Sequence, residues 1–241
     1  GKINSAVGAM VFFDFTAAFP PVSRAFIWLV LQFIGIPESI IQAIKALYTN
    51  NHHFLKWGGV VQYAFLSMAG VRQGCPLSSA LFVIVCDPIL RAFDSYLSPM
   101  SLLRSYADDL AIVLHNLWVE APILAILFQL ISRISCLTLN EKKCVLVPLW
   151  KFNLKAIRSL LTDLVPLWKD FKIDTKAKYL GDIIGPGSDL DGWNEALMKF
   201  LQRCRVVSNT GLNLLSKIIL YKMIAFSVIH FPSQFLSLIH I

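Results

Sequence analysis

The 241 residues carry 22 basic and 15 acidic side chains, a formal net charge of +7, and 56% of them are hydrophobic. That excludes a disordered chain and a disulfide-stapled mini-protein, and supplies enough apolar surface for one large domain or a domain with an appendage. Five cysteines, odd in number and without a C-x-x-C pair, exclude a zinc ribbon or dithiol redox motif and read as buried thiols of a reducing compartment.

A mean hydropathy of +0.62 raises the question of membrane spans. Most apolar runs are short: Phe26–Ile36 stops at Pro37, Ser78–Val85 meets Asp87 and Pro88, and Ala121–Ser132 ends at Arg133. The tail from Met223 to Ile241 is long enough, but its His230, Pro232, Ser233, Gln234 and His240 make it a poor span, so no membrane partner is expected. Val7–Phe13 runs into Asp14 without a small-residue cleavage site, which argues against a secretory leader and predicts an intracellular protein, nuclear or cytoplasmic. Charge is uneven: residues 1–140 sum to +1 and residues 141–241 to +6, a balance that suits either a nucleic-acid-gripping part or a solvated lysine face.

In chain order, the unbroken apolar run Ala9–Phe13 predicts a strand buried on both faces, with Asp14 at its end. Ser23 caps a predicted helix over Arg24–Phe33 that Gly35 closes, and Pro37 opens a second one to about Tyr48. Phe54–Lys56, Gly58-Gly59 and Val60–Ser67 predict a hairpin. A glycine-bounded loop, Gly70–Gly74, leads into a helix from Leu77 to about Tyr96 that Pro88 should kink or break. Leu103–Leu114, apolar at both ends around Asp108 and Asp109, predicts strand, tight turn, strand. A helix over Pro122–Ser135, strands near Val145 and over Tyr179–Ile184, and helices over Leu190–Val207 and Leu212–Val228 complete the expectation.

Adjacent carboxylates flanked by apolar strands are costly unless a cation or donors compensate them. The residues alone leave two readings. One is an Asp-Asp turn that caps its own backbone. The other is an oxygen-rich site in which Asp14 joins Asp108 and Asp109 around a hard ion such as Mg2+.

Five blocks bear on that choice: Phe13-Asp14-Phe15-Thr16-Ala17-Ala18-Phe19, Gly70-Val71-Arg72-Gln73-Gly74-Cys75-Pro76-Leu77-Ser78, Tyr106-Ala107-Asp108-Asp109, Leu139-Asn140-x-x-Lys143 and Tyr179-Leu180-Gly181. In this order, across about 170 residues, the chain resembles the reverse transcriptase palm, in the variants of non-LTR (LINE-type) retrotransposons.

The resemblance implies an α+β right-hand polymerase palm over residues 1–185, a small antiparallel sheet backed by helices, and the start of a helical thumb over 186–241. It implies RNA-directed DNA synthesis, with an RNA template, a DNA primer, deoxynucleoside triphosphates and two Mg2+ ions, Mn2+ being the alternative ion. No protein partner is inferable. Asp14 and Asp108 would hold the ions, with Asp109 in support. Phe19 would face the sugar of the incoming nucleotide; by itself it reads as an ordinary core phenylalanine. Arg72, Gln73 and Gly74 would border the nucleotide and template, and Lys143 would assist the leaving phosphate. Tyr106, Tyr179, Leu180 and Gly181 would meet primer and template. Lys199, Arg203, Arg205, Lys217 and Lys222 could then face phosphates, or simply solvate helix surfaces.

Two departures stand out. Only thirteen residues precede Asp14, so the fingers strands are expected to be absent and the chain to be a piece of a longer one. Arg133-Ile134-Ser135-Cys136 lacks the glycine often found shortly before Leu-x-Leu-Asn, so that loop is expected to differ. Three rivals remain: a group II intron or retron type reverse transcriptase, from which the Arg72–Ser78 stretch points away, a non-catalytic nucleic-acid-binding remnant, and a membrane protein anchored by the apolar tail considered above.

Overall fold

A computed structural model describes residues 7–17, 19–188 and 191–233. The chain divides into two compact units, Gly1–Ile173 and Asp174–Ile241. The first is an α+β unit built on a five-stranded sheet of order β4-β5-β1-β6-β7: β1 Ala9–Phe13, β4 Leu102–Tyr106, β5 Asp109–Leu114, β6 Val145–Pro148 and β7 Lys172–Ile173. β1 lies at its centre, antiparallel to both β5 and β6, and only the short β6–β7 pair is parallel. Ala9, Val11, Phe12 and Phe13 are all buried, as an apolar run without alternation requires.

Ser23 caps α1 (Arg24–Phe33), its hydroxyl accepting the Phe26 N–H at 3.3 Å, and α2 (Glu38–Tyr48) follows Pro37. β2 (Asn51–Trp57) and β3 (Val60–Ser67) form a separate two-stranded ribbon. Three elements depart from expectation here. α3 (Pro76–Tyr96) runs through Pro88 unbroken, with Leu81, Phe82, Val85, Ile89 and Phe93 packed in the core on both sides of it. α4 (Leu117–Ser135) starts five residues before the expected Pro122, because Asn116 caps it, accepting the Trp118 N–H at 3.1 Å. α5 (Leu154–Leu164), capped by Asn153, was not anticipated. Since Asp87 and Arg133 lie inside helices and do not end them, α3 and α4 are long and apolar enough to cross a membrane by length and composition, contrary to the short-run reading. Both contribute residues to the core.

Beneath the sheet end that carries Asp14, rings interlock: Phe13 lies 4.7 Å from Phe128 and 5.5 Å from Trp168, Phe93 lies 4.6 Å from Phe128, and Trp168 stacks on Phe171 at 4.9 Å. Each fully buried ring of this kind contributes roughly 1.5–3 kcal/mol by burial alone.

The second unit opens with a hairpin, β8 (Ala177–Tyr179) and β9 (Asp182–Ile184), where one strand was expected over Tyr179–Ile184. The chain turns at Leu180 and Gly181, both at positive φ (+49° and +95°). Helices α6 (Asp191–Ser208), α7 (Leu214–Leu220) and α8 (Ser227–Ser233) follow, with a π-helical segment, Tyr221–Phe226, interrupting the helix expected over Leu212–Val228. The final residues of the apolar tail, 234–241, lie outside the described residues.

Candidate active site

The register of β1 on β5 brings the carboxylates together. Phe13 pairs with Leu110, and one residue further along each strand, towards the same sheet end, stand Asp14 and Asp109. β4 and β5 close through the Tyr106–Asp109 pair, which leaves Ala107 and Asp108 as a two-residue turn with Ala107 in the left-handed region (φ +53°). Tyr106 is exposed beside it.

The electrostatics record this proximity. Burial, then the charges of Asp108 and Asp14, holds the Asp109 carboxyl above the ordinary carboxylate range. The thiol of Cys86, on α3, is pushed up to about 12 by burial and then by Asp108. Carboxylates gathered at one sheet end, with Asp109 held up by burial and by its two neighbours' charges, call for a cation, and their hard oxygens suit Mg2+ in donor chemistry. Among the described residues no group of three or more His, Cys, Asp or Glu side chains stands close enough together to hold an ion. The donor set therefore fits in charge and type without forming a closed cage.

Asp14 is gripped through its backbone by the Leu139–Cys144 turn. Its N–H donates to Cys144 Sγ at 3.4 Å, its carbonyl accepts the Cys144 thiol at 3.7 Å and the Asn140 N–H at 2.8 Å. Phe15 bridges to Leu139, and the Thr16 N–H donates to the Thr138 carbonyl at 2.9 Å. The Asn140 carbonyl in turn accepts the Lys143 and Cys144 N–H groups. Lys143 Nζ stands 4.0 Å from Asp14 Oδ2, so the lysine singled out in the sequence does reach the carboxylate end of β1. Burial raises the Cys144 thiol to about 12, an effect its hydrogen bond to Asp14 partly offsets. The loop without its glycine is accommodated by Cys136, which caps α4 at φ +62°, a conformation a non-glycine residue adopts at a cost of about 1 kcal/mol.

Phe19 is half-buried and packs on Phe82 of α3 with ring centroids 4.8 Å apart. Its carbonyl accepts the Val71 N–H, and Gly70 donates to the Val22 carbonyl, so the loop before α3 lies along the segment after Asp14. A Cβ on Gly70 would stand 2.2 Å from the Pro20 carbonyl oxygen, at φ +74°; this position requires glycine. Arg72 lies over the Tyr48 ring at 5.8 Å, Gln73 is exposed, and Gly74 turns at φ +83°.

Arg24 was not anticipated. Its guanidinium donates to the carbonyls of Gly70, Tyr48 and Ala69 and to Ser67 Oγ, tying the start of α1 to the strand that leads into the loop. Cys144, Cys86 and Arg24 are each specified by partners distant in the chain, and no local pattern could have found them.

Tyr179, Leu180 and Gly181 belong to the second unit, at the turn of the β8–β9 hairpin. Of the cations there, Lys199 pairs with Glu195, Arg203 donates to the Ile224 carbonyl and Lys217 to the Ser208 carbonyl.

The reverse transcriptase (RNA-dependent DNA polymerase) family profile matches residues 3–184. The chain belongs to the reverse transcriptase family. It is 28% identical over 139 residues to a retrovirus-related Pol polyprotein of a type-2 retrotransposable element from Drosophila melanogaster, a match that takes in 56% of this chain and spans 13% of the relative's length. Among solved structures, apo telomerase of Candida tropicalis superposes with a TM-score of 0.55 at 15% identity, over 74% of this chain and 34% of that one. Telomerase of Candida albicans does so with a TM-score of 0.51 at 11% identity, over 95% and 39%. At such identities the likeness is one of fold: a polymerase-like α+β arrangement of small sheet and helices.

Proposed function

We propose that this reverse transcriptase domain carries out RNA-directed DNA synthesis for a non-LTR, LINE-type retrotransposon. The observation that carries the reading is the placement of Asp14 and Asp109 one residue beyond the Phe13–Leu110 pair, with Asp108 in the turn beside them. Held by Asp14 and Asp108 with Asp109 in support, Mg2+ or Mn2+ would supply activation of the primer 3′-hydroxyl and neutralisation of the pyrophosphate leaving group.

The chain's own residues do the positioning. The Asn140–Cys144 turn fixes the main chain of Asp14, and Lys143 brings a positive charge to the side where a leaving phosphate needs one. Phe19, backed by Phe82, presents an apolar face towards the nucleotide sugar, and the Arg72–Gly74 loop borders the nucleotide and template. Tyr179–Gly181 and the basic helices of the second unit engage primer and template.

Primer extension on an RNA template tests this. Asp108→Asn should abolish Mg2+-dependent extension while leaving the far-UV circular dichroism and melting temperature unchanged. Comparable extension by the variant would remove Asp108 from the chemistry, and salt-sensitive binding with no extension by either form would favour the non-catalytic binder. Phe19→Val should raise ribonucleotide over deoxyribonucleotide incorporation; an unchanged ratio leaves Phe19 as core.

A further inference from the structure

Apart from Ser67 at its end, whose hydroxyl accepts from Arg24, the β2–β3 ribbon takes no part in the site above. It is a sheet of two strands only, joined by Gly58 and Gly59, both at positive φ. A lone hairpin is marginal in water and normally buries one face. This one leaves Trp57 89%, Leu55 69%, Phe54 59%, Tyr63 57% and Phe65 56% exposed. Its rings meet one another: His52 lies 5.7 Å from Tyr63, Phe54 meets the same ring edge-on at 5.9 Å, and His53 stacks on Phe65 at 4.6 Å with 12° between planes. Lys56, two residues beyond Phe54, shares its face. Charge adds a second observation. Between Glu38 and Asp87 the chain has no Asp or Glu, yet it has Lys45, Lys56, Arg72, His52 and His53.

An exposed apolar surface of this extent marks a binding face. A protein partner of ordinary composition would present charges of both signs and be met by both. Open aromatic faces, a cation at their edge and 48 residues without a carboxylate match a polyanion that carries planar groups. We propose that the β2–β3 ribbon is a stacking platform for an unpaired nucleic-acid strand, with His52, Phe54 and Tyr63 receiving bases and Lys56 a phosphate. For the identity of that strand, the unpaired stretch of the template, the proposal rests on the polymerase reading; the stacking chemistry is independent of it.

The test is binding of a fluorescein-labelled 12-mer oligouridylate, and of a blunt 12-base-pair RNA–DNA duplex, followed by fluorescence anisotropy at two salt concentrations. Phe54→Ala and Tyr63→Ala should each weaken single-strand binding by about 5- to 150-fold, the equivalent of one lost base stack, and leave duplex affinity within about twofold. Phe54→Trp should retain binding and Phe54→Leu should lose it. Lys56→Gln should lower the salt slope by about 0.7. The side chains are exposed, so melting temperatures should not move. Full binding by Phe54→Leu, equal losses on duplex and single strand, or competition by phosphatidylserine vesicles would each overturn the platform in favour of a generic apolar contact, a backbone grip or a lipid surface. Asp108→Asn separates the two readings: it should bind the oligomer like the wild type. Loss of extension in that variant alongside unaltered binding by the ring variants would sink the platform and keep the polymerase, and the converse pattern would do the reverse.

Discussion

The two arms that bring carboxylates to the candidate active site are held at opposite ends. Asp14 is tied at the residue itself, with its N–H and carbonyl both engaged by the Leu139–Cys144 turn. The β4–β5 hairpin is tied at its root. There the buried Glu120 accepts the Ser98 N–H at 2.9 Å, the Ser101 hydroxyl at 2.6 Å and the Asn116 N–H at 2.9 Å, while Ser101 accepts the His115 N–H. At about 3.3 Å per residue, the five residues of β4 put that root some 15 Å from the Asp108 turn. One carboxylate is thus fixed by local bonds and the others by the stiffness of a paired ribbon, so damage to each arm should read out in different places.

The largest effect is expected from Glu120→Ala. It leaves the half-buried Ser98 and Asn116 N–H groups and the Ser101 hydroxyl without an acceptor and should cost about 3 kcal/mol in urea unfolding, with faster amide exchange along both hairpin strands and little change at Asp14. A loss below about 1 kcal/mol would mean that the root is not what holds the hairpin. Cys144→Ala should cost about 2 kcal/mol from the cavity and the lost sulfur contacts, and here exchange of the Asp14 amide should accelerate while Asp109 stays protected. Equal acceleration at both would erase the contrast. Two substitutions should stabilise by about 1 kcal/mol each, Ala107→Gly at the hairpin turn and Cys136→Gly at the end of α4, because both residues hold positive φ. Smallest is a difference in alkylation at neutral pH. Iodoacetamide should label the exposed Cys136 and spare Cys86 and Cys144, whose thiols are raised to about 12. Prompt labelling of Cys144 would show that the grip on Asp14 opens.

What could be read from the chain follows how local the cause is. α1 was legible in full because Ser23, the apolar spacing and Gly35 all act within one helix. The hairpins of β2–β3 and β4–β5 were legible for the same reason, the first turn being marked by Gly58-Gly59 and the second by the polar Asp108-Asp109 pair, although it closes one residue earlier, at Ala107-Asp108. α4 was read late because Pro122 looks like a boundary, whereas Asn116 and Glu120 together cap a start five residues earlier. α5 was legible too, since Leu154, Ile157, Leu160, Leu161 and Leu164 recur at helical spacing behind the Asn153 cap, a stripe passed over in the expectation above. The Tyr179–Ile184 strand became a hairpin because Leu180 takes a left-handed conformation that its side chain gives no hint of. In the site, the three aspartates and Lys143 were visible as a motif, and the register confirms that Asp14 and Asp109 share a sheet end. Cys144, Glu120 and Arg24 were not, since their partners are set by packing.

The placement of β1 bears on how the molecule is made. It is the first strand of its sheet to leave the ribosome, yet its two neighbours are β5 and β6, and the thiol that holds Asp14 lies 130 residues downstream. At roughly 5–20 residues per second, the Ala9–Phe13 run waits about 7–27 s for its last partner. Until β5 is complete at Leu114 five apolar residues present unpaired edges on both sides, and until Pro148 one edge is still open, a natural ligand for a chaperone and a seed for aggregation. Slower translation between Leu114 and Val145, or depletion of holdases, should therefore lower soluble yield more than any change after Ile173.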